Sequence, residues 1–295
     1  MSAFRSGFVA ILGRPNVGKS TLMNSFVGEK VAIVSNKPQT TRNRIMGVAS
    51  GEGWQMVFLD TPGLHTPRTR LGEYMVKAAN DALDGIDALI VMVDAGFVGN
   101  MDREILQKMA QTRVKKALVV NKIDTIPRAA LASLLATFND APYDAVVPVS
   151  ARNGDGMDEL RRLLVSFLPE GPRYFPEDMM TDQPERVLCA EIIREKALRN
   201  LRDEVPHGIG VEMQSMAKLP SGVMEIHATL YCARESHKRI IIGRQGAMLG
   251  KIGAEARADI ERLLGGQVLL KLWVKVREDW RNRAGDLRAL GYEDD

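Results

Sequence analysis

The chain has 295 residues, 45% of them apolar and 26% charged, with a formal net charge of +3 and two cysteines. That length exceeds what one hydrophobic core ordinarily organises, so two domains are expected. The net charge is too small to make the whole molecule a polycation, which excludes indiscriminate nucleic-acid binding and confines any basic surface to a local patch. Cys189 and Cys232 stand far apart in no metal-ligand spacing, as suits buried thiols in a reducing cytosol. No apolar run approaches the ~20 residues of a membrane span, and the first residues carry no secretory pattern, so the expected location is cytoplasmic.

The apolar run Phe8-Val9-Ala10-Ile11-Leu12 reads as a strand and leads into Gly13-Arg14-Pro15-Asn16-Val17-Gly18-Lys19-Ser20. Glycine, four residues, then Gly-Lys-Ser is the phosphate-loop pattern. Its backbone N–H groups cradle nucleotide phosphates, its lysine reaches the β- and γ-phosphates, and its serine hydroxyl ligates Mg²⁺. A helix is expected from residue 20 to 27, and its N-terminus favours an anion. Residues 28–42 are polar and poorly periodic and read as a loop; Thr40 or Thr41 could supply a second hydroxyl to Mg²⁺.

Strands are expected at 44–49 and 54–59 around the turn Gly51-Glu52-Gly53. The second ends in Asp60-Thr61-Pro62-Gly63. A carboxylate at the C-terminal end of an apolar strand stands where a Walker-B aspartate holds the metal, and Gly63 lets the backbone approach the γ-phosphate. Residues 64–70 read as a loop, 74–79 as a helix, and 88–94 as a strand buried on both faces of a parallel sheet. A helix at 103–111 and a strand at 117–120 lead to Asn121-Lys122-Ile123-Asp124. The Asp124 carboxylate can accept from both the ring N–H and the exocyclic amine of guanine, a donor pair that adenine lacks. An ATPase reading survives only if this tetrapeptide is accidental. A last strand, 145–149, ends in Ser150-Ala151, whose Ala151 N–H could meet the guanine carbonyl, and an amphipathic helix at 156–167 closes the unit. In order and spacing these motifs make residues 1–170 resemble a translation-factor-type GTPase domain. The fold this implies is a doubly wound α/β sheet with its ligand at the C-terminal strand edge.

Pro169, Pro172, Pro176 and Pro184 punctuate a polar stretch, and residues 171–185 read as a semi-rigid linker. Beyond it come a helix at 186–202, strands at 210–217 and 224–233, a short helix running into Gly243-Arg244-Gln245-Gly246, a long helix to about 264, and a strand at 267–276. The two glycines allow a tight turn that lies against a nucleic-acid backbone, with Arg244 as a cation at its tip. Residues 186–283 resemble a smaller α+β K-homology (KH) domain of type II, a module that clamps about four single-stranded nucleotides. They hold 18 Lys and Arg against 12 Asp and Glu, a modest excess suited to a single-strand clamp. Residues 284–295 are expected to be a tail, disordered at its acidic end Glu293-Asp294-Asp295.

A phosphate-loop GTPase domain, a proline-rich linker and a KH domain in this order resemble the Era family of bacterial GTPases, over nearly the whole chain. The resemblance implies a GTP-hydrolysing switch that binds the 3′ end of 16S ribosomal RNA, and not DNA, and assists maturation of the 30S subunit. Peripheral contact with the inner membrane also belongs to the family; nothing in the sequence argues against a monomer. Carried over by residue, Gly13, Arg14, Pro15, Asn16, Val17, Gly18, Lys19 and Ser20 bind phosphates, with Mg²⁺ held by Ser20, Thr41 and Asp60. Residues 39–43 form the first switch, and Asp60, Thr61, Pro62 and Gly63 sense the γ-phosphate. Asn121, Lys122 and Asp124 read guanine, and Ser150 and Ala151 support the base. The RNA clamp is Lys238, Arg239, Ile242, Gly243, Arg244, Gln245, Gly246 and Lys251.

Catalysis is assigned to Lys19, Asn16, Thr41 and Gly63. Where Ras-like enzymes carry a water-orienting glutamine, this chain has Leu64, which cannot do that work; His65 follows but is unplaced. Relatives with this apolar substitution use a monovalent cation, and Asn16 matches their cation-binding asparagine, so slow hydrolysis stimulated by K⁺ is expected. A second reading stays open, in which the protein is chiefly an RNA-binding assembly factor and nucleotide serves the fold.

Overall fold

The structure is a computed structural model that describes residues 3–35, 37, 40–64, 67 and 69–292. Its contacts divide the chain into two compact units. The first comprises Met1–Val34, Thr41–Thr66 and Met75–Asp182, the second Ser35–Thr40, Pro67–Tyr74 and Gln183–Asp295.

The first unit is built on a six-stranded sheet in the order β2-β3-β1-β4-β5-β6. The strands are β1 (Arg5–Gly13), β2 (Ile45–Gly51), β3 (Trp54–Asp60), β4 (Ala88–Asp94), β5 (Lys115–Asn121) and β6 (Ala145–Val149). All neighbours are parallel except the hairpin β2–β3. The twofold side-chain period of a strand explains why the central runs are apolar throughout. Val9 and Ile11 face a core shared with Leu22 and Met23 of α1 (Lys19–Val27) and Leu160 and Leu164 of α5 (Met157–Phe167). Ala10 and Leu12 face the opposite core, with Ala82, Ile86, Ile105 and Met109. Those residues lie on or just after α2 (Arg70–Asp81) and α3 (Asn100–Ala110). A helix the sequence reading did not mark, α4 (Arg128–Ala136), packs Leu131, Leu134 and Leu135 against Leu118 and Val120. The expected doubly wound sheet therefore forms, with helices on both faces.

Element ends differ from the expected ones for local reasons. The helix expected at 103–111 begins at Asn100, because the Asp102 carboxylate accepts the Gly99 N–H at 2.9 Å and so starts the helix earlier. The stretch expected as a linker does not run free. Gly171 N–H donates to the Phe4 carbonyl at 3.0 Å, the Ser6 hydroxyl donates to the Pro172 carbonyl at 2.6 Å, and Val48 N–H donates to the Met180 carbonyl at 2.8 Å. Buried Gln55 is the main fastener. Its Oε1 accepts the N–H groups of Tyr174 and Phe175 at 2.8 and 3.0 Å, and its Nε2 donates to the Phe175 carbonyl at 2.9 Å.

The second unit has a three-stranded sheet, β7 (Gly210–Lys218), β8 (Met224–Cys232) and β9 (Val268–Val276), with β8 antiparallel to β7 and parallel to β9. Three helices share its core, α6 (Glu185–Asn200), α7 (Glu235–Ile242) and α8 (Ala247–Leu264). Ile192 and Ile193 of α6, Ile241 of α7, and Ile252, Ala256 and Ile260 of α8 meet Ile226, Ala228 and Leu230 of β8. α6 also buries charge: the Lys196 ammonium lies 2.5 Å from Asp259 of α8, and Asn200 donates to Glu255 at 2.7 Å. The region expected as a tail is structured as far as Tyr292. α9 (Ala284–Ala289) buries Leu287, and Tyr292 stacks on fully buried Trp280 with ring centroids 6.1 Å apart. Aromatic burial of this kind outweighs the entropy of ordering a short terminal segment. The acidic residues 293–295 lie outside the described residues.

Replacing Gln55 by Leu leaves three partly buried backbone groups of residues 174–175 without partners. We expect urea unfolding to show a loss of about 1–3 kcal/mol, and limited proteolysis to accelerate within residues 172–180. Unchanged proteolysis would show that the segment is held by other contacts.

Candidate functional site

β1 delivers the chain to residues 13–20 at the C-terminal edge of the sheet, and α1 begins within them. Gly18, at φ 104°, is the turn into the helix, and a side chain there would meet the Asn121 amide at 2.2 Å. Asn16 is a non-glycine residue in the left-handed region, at φ 67°. Such a conformation costs of order 1 kcal/mol and persists only where surrounding contacts impose it. Two contacts do so here: the Lys122 ammonium donates to the Asn16 carbonyl at 2.8 Å, and the Asn121 amide donates to the Val17 carbonyl at 2.8 Å. Asn121 and Lys122 thus brace the phosphate loop.

Lys19 is buried and its ammonium donates to the carbonyls of Gly13 and Arg14 at 3.3 and 3.2 Å. Asp60, at the end of β3, has no exposure to water. Its Oδ2 accepts the Ser20 hydroxyl at 2.6 Å and the Thr41 hydroxyl at 3.3 Å, and the two hydroxyls lie 3.0 Å apart. The Oδ1 atom of Asp60 is buried without a hydrogen-bond partner among the described residues. Ser20, Thr41 and Asp60 therefore converge, and of the two threonines it is Thr41 whose hydroxyl joins them. Thr40 turns its hydroxyl onto the carbonyl of Lys37 at 2.6 Å. Three hard oxygens, one of them an unpartnered carboxylate atom, fit a Mg²⁺ ion, which keeps several water ligands and takes few from protein.

Gly63 stands against the phosphate loop: a Cβ there would lie 2.6 Å from the Pro15 nitrogen. Thr61 donates to the Ile11 carbonyl at 2.9 Å, and Leu64 N–H donates to the Gly13 carbonyl at 3.2 Å. The Leu64 side chain packs beside the core that contains Ala10, Leu12 and Leu59, as an apolar residue must. His65 and Gln39 lie outside the described residues.

At the base end, the Ser150 hydroxyl donates to Asp124 at 2.7 Å and orients that carboxylate. The Ala151 N–H donates to Asn121 Oδ1 at 3.0 Å. The Arg14 side chain reaches Asp102, with its Nε 3.0 Å from both carboxylate oxygens, and leaves the backbone N–H of this residue on the phosphate loop. Asp94 and Asp102 were not marked from the sequence. Asp94 ends an apolar strand just as Asp60 does, and Asp102 stands three residues after Gly99, the spacing of an N-terminal helix cap. Both signals were present.

In the second unit the turn from α7 to α8 has Gly243 at φ 73°, Gln245 at φ 51° and Gly246 at φ 81°. A side chain on Gly243 would meet the Met248 backbone nitrogen at 2.8 Å, so this position admits glycine on two grounds. Arg244 and Gln245 are exposed at the tip, Arg239 and Lys251 are exposed on the helices either side, and Lys238 and Ile242 are half-buried.

The chain matches the 50S ribosome-binding GTPase family over residues 8–122 and the KH domain family over residues 204–281. GTPase Era of Alkaliphilus metalliredigens is 52% identical over 294 residues, covering 99% of this chain and 100% of that protein. The chain belongs to the Era family of GTPases. GTPase Era of Clostridioides difficile is 50% identical over 295 residues, 99% of either chain. Among solved structures, Era in complex with MgGDPNP and nucleotides 1506–1542 of 16S ribosomal RNA superposes with a TM-score of 0.94 at 41% identity, covering 98% of this chain and 99% of that one. A single-residue variant of Aquifex aeolicus Era bound to GDP·AlF₄⁻ gives 0.94 at 40% identity over the same shares. As an Era GTPase the protein hydrolyses GTP, and the sequence-derived fold of phosphate-loop domain plus KH domain stands.

Burial pushes the Lys19 ammonium down to about 8; the Asp60 carboxylate opposes that fall and Arg14 adds to it. Burial pushes the Asp60 carboxyl up, opposed by Lys19 and by the Ser20 and Thr41 hydroxyls. Between about pH 8 and the ordinary lysine value of 10.5, the unfolded chain holds a proton that the native protein lacks, so this group makes the nucleotide-free protein more stable as pH rises. Phosphates favour the ammonium, so nucleotide binding must take up a proton above about pH 8. Calorimetric GDP affinity should be level from about pH 7 to 8 and then fall, approaching about tenfold per pH unit. Buffers of different ionisation enthalpy should register the uptake, and Lys19→Met should abolish it. An affinity level to about pH 9.5 would contradict this linkage.

Proposed function

We propose that this protein is a GTP-driven switch that binds the 3′ end of 16S ribosomal RNA through its KH domain and assists maturation of the small ribosomal subunit in the cytoplasm. The observation that carries the RNA part of this reading is the Gly243-Arg244-Gln245-Gly246 turn. It presents two exposed polar side chains on a backbone too tight for side chains at its hinge, as a clamp on a sugar-phosphate backbone requires. The occupant is taken from the relative solved with 16S nucleotides. Among the described residues no helix is long and apolar enough to cross a membrane.

In the nucleotide site, Ser20, Thr41 and Asp60 would hold Mg²⁺, which when bound supplies positive charge at the phosphates. Lys19 supplies a second cation, and the N–H groups of residues 13, 14 and 16–18 add fixed dipoles, so the protein contributes positioning and charge neutralisation rather than covalent chemistry. Asp124, held by Ser150, selects guanine. The Thr41 hydroxyl reaches Asp60 at 3.3 Å from the loop before β2, and Gly63 rests on Pro15. Both contacts support a response of residues 41 and 63 to a γ-phosphate.

A switch must bind RNA differently in its two nucleotide states, and RNA must shift nucleotide affinity by the same factor. The test is the affinity of a single-stranded oligonucleotide copying the 16S 3′ end, measured with GDP and with a non-hydrolysable GTP analogue. A difference of about tenfold, about 1.4 kcal/mol, is expected. Arg244→Ala should weaken RNA binding by about 1 kcal/mol or more and lower its salt dependence, since it removes one backbone cation. Equal RNA affinity in both states would leave an RNA-binding factor whose nucleotide serves the fold.

The monovalent cation is a second part of the proposal. Asn16 is held in its left-handed conformation on the phosphate loop, and the apolar Leu64 side chain supplies no group to orient water. Hydrolysis should be faster in K⁺ than in Na⁺, and Asn16→Ala should remove the difference; equal rates in both salts would dismiss the cation.

A further inference from the structure

A polar ring behind the phosphate loop has no part in the chemistry described so far. Arg14 is its centre. Its Nε lies 3.0 Å from both oxygens of Asp102, its Nη2 donates to the Phe97 carbonyl at 2.9 Å, and the same atom stands 4.0 Å from Asp94. Asp102 is 1% exposed and also accepts the Gly99 N–H, which fixes it at the start of α3. Asp94 binds Lys122 at 2.6 Å, and Lys122 donates to the Asn16 carbonyl at 2.8 Å. The ring thus seizes the loop on either side of one residue, at Arg14 through a side chain and at Asn16 through a carbonyl. Pro15 lies between, and Gly63 rests on Pro15.

We propose that Asp102 is a positioning residue for the γ-phosphate end of the site. It acts through Arg14 to hold Pro15 as the wall against which the Gly63 loop closes. The proposal rests on the reading of Gly63 as the residue that responds to the γ-phosphate. Its physical basis is that a carboxylate nearly free of water grips a guanidinium through both oxygens, an interaction strong and directional enough to fix a backbone. GDP makes no demand on the Gly63 loop, whereas a bound γ-phosphate needs that loop seated. Loosening Pro15 therefore penalises the GTP state selectively, while a merely structural role for Asp102 would weaken both nucleotides alike.

The experiment uses the full chain and two ligands, GDP and a non-hydrolysable GTP analogue, measured calorimetrically with single-turnover hydrolysis alongside. The variants are Asp102→Asn, Arg14→Ala and the pair together. Asparagine keeps the size of the side chain and an oxygen for the Gly99 N–H, so the start of α3 is preserved and the thermal unfolding temperature should fall only by what losing the charge opposite Arg14 costs. The preference for analogue over GDP is expected to fall about tenfold in Asp102→Asn, at least as far in Arg14→Ala, which also loses the Phe97 carbonyl and Asp94, and no further in the double than in Arg14→Ala, because Asp102 acts through Arg14. Hydrolysis should slow while GDP affinity in Asp102→Asn stays within about twofold of its original value, since GDP has no γ-phosphate to make a demand on Gly63. Arg14→Lys, which keeps the charge but not the fork, should recover only part of the loss. Equal weakening of both nucleotides, or additive losses in the double variant, would overturn the proposal. Gly63→Ala separates it from the reading beneath it. If that change lowers the analogue preference while Asp102→Asn does not, the clamp is refuted and the role of Gly63 stands; if neither does, both fall.

Discussion

Asp60 is a carboxylate held entirely out of water at the C-terminal end of β3, and the first unit is arranged around the cost of keeping it there. An isolated buried charge would cost far more than the stability of a domain, so it needs partners. One is the Lys19 ammonium, itself buried; the others are the hydroxyls of Ser20 and Thr41. These groups come from different stretches of chain: the end of a strand, the start of a helix and a loop. Parallel packing of β1 beside β3, with Ile11 opposite Asp60, brings the first two together. The Oδ1 atom, without a partner among the described residues, shows that these side chains alone do not complete the arrangement. A divalent cation would complete it, as the proposed Mg²⁺ site requires.

The base end follows the same logic. Asn121 and Lys122 commit their side chains to carbonyls of the phosphate loop, at Val17 and Asn16, while Asp124 is steered by Ser150. Residues 121–122 and the phosphate loop are therefore coupled, Asn121 bonding a carbonyl 104 residues earlier in sequence. The second unit solves a different problem. Its turn at residues 243–246 must stay tight and exposed at once. Apolar anchoring on both sides, by Ile241 and Ile252, supports a tip that has little to pack against.

Much of this was legible in the chain. Phosphate loop, Asp60, residues 121–124 and the Gly243-to-Gly246 turn are local patterns, each set by what a few consecutive residues do with their backbone. Apolar runs and their periodicity marked most strands and helices, because they report which faces are buried. Less legible were α4, whose short apolar run has weak periodicity, and the stretch after residue 168, whose prolines suggested a spacer. Prolines remove donors but leave carbonyls, and Ser6, Gln55 and Val48 supply partners from residues far back in sequence.

By itself, then, the sequence determined the two-domain order, the phosphate-binding loop, the preference for guanine over adenine and the position of the nucleic-acid turn. These follow from short-range geometry and hydrogen-bonding capacity. Only the tertiary structure decided that Thr41 rather than Thr40 joins Ser20 and Asp60, that the Arg14 side chain turns to Asp102, and that Ala151 donates to Asn121. It alone decided that the last helix and Tyr292 belong to a core. In each case the partner lies tens of residues away or the rivals are neighbours of equal chemistry, so distance in space makes a choice that order along the chain leaves open.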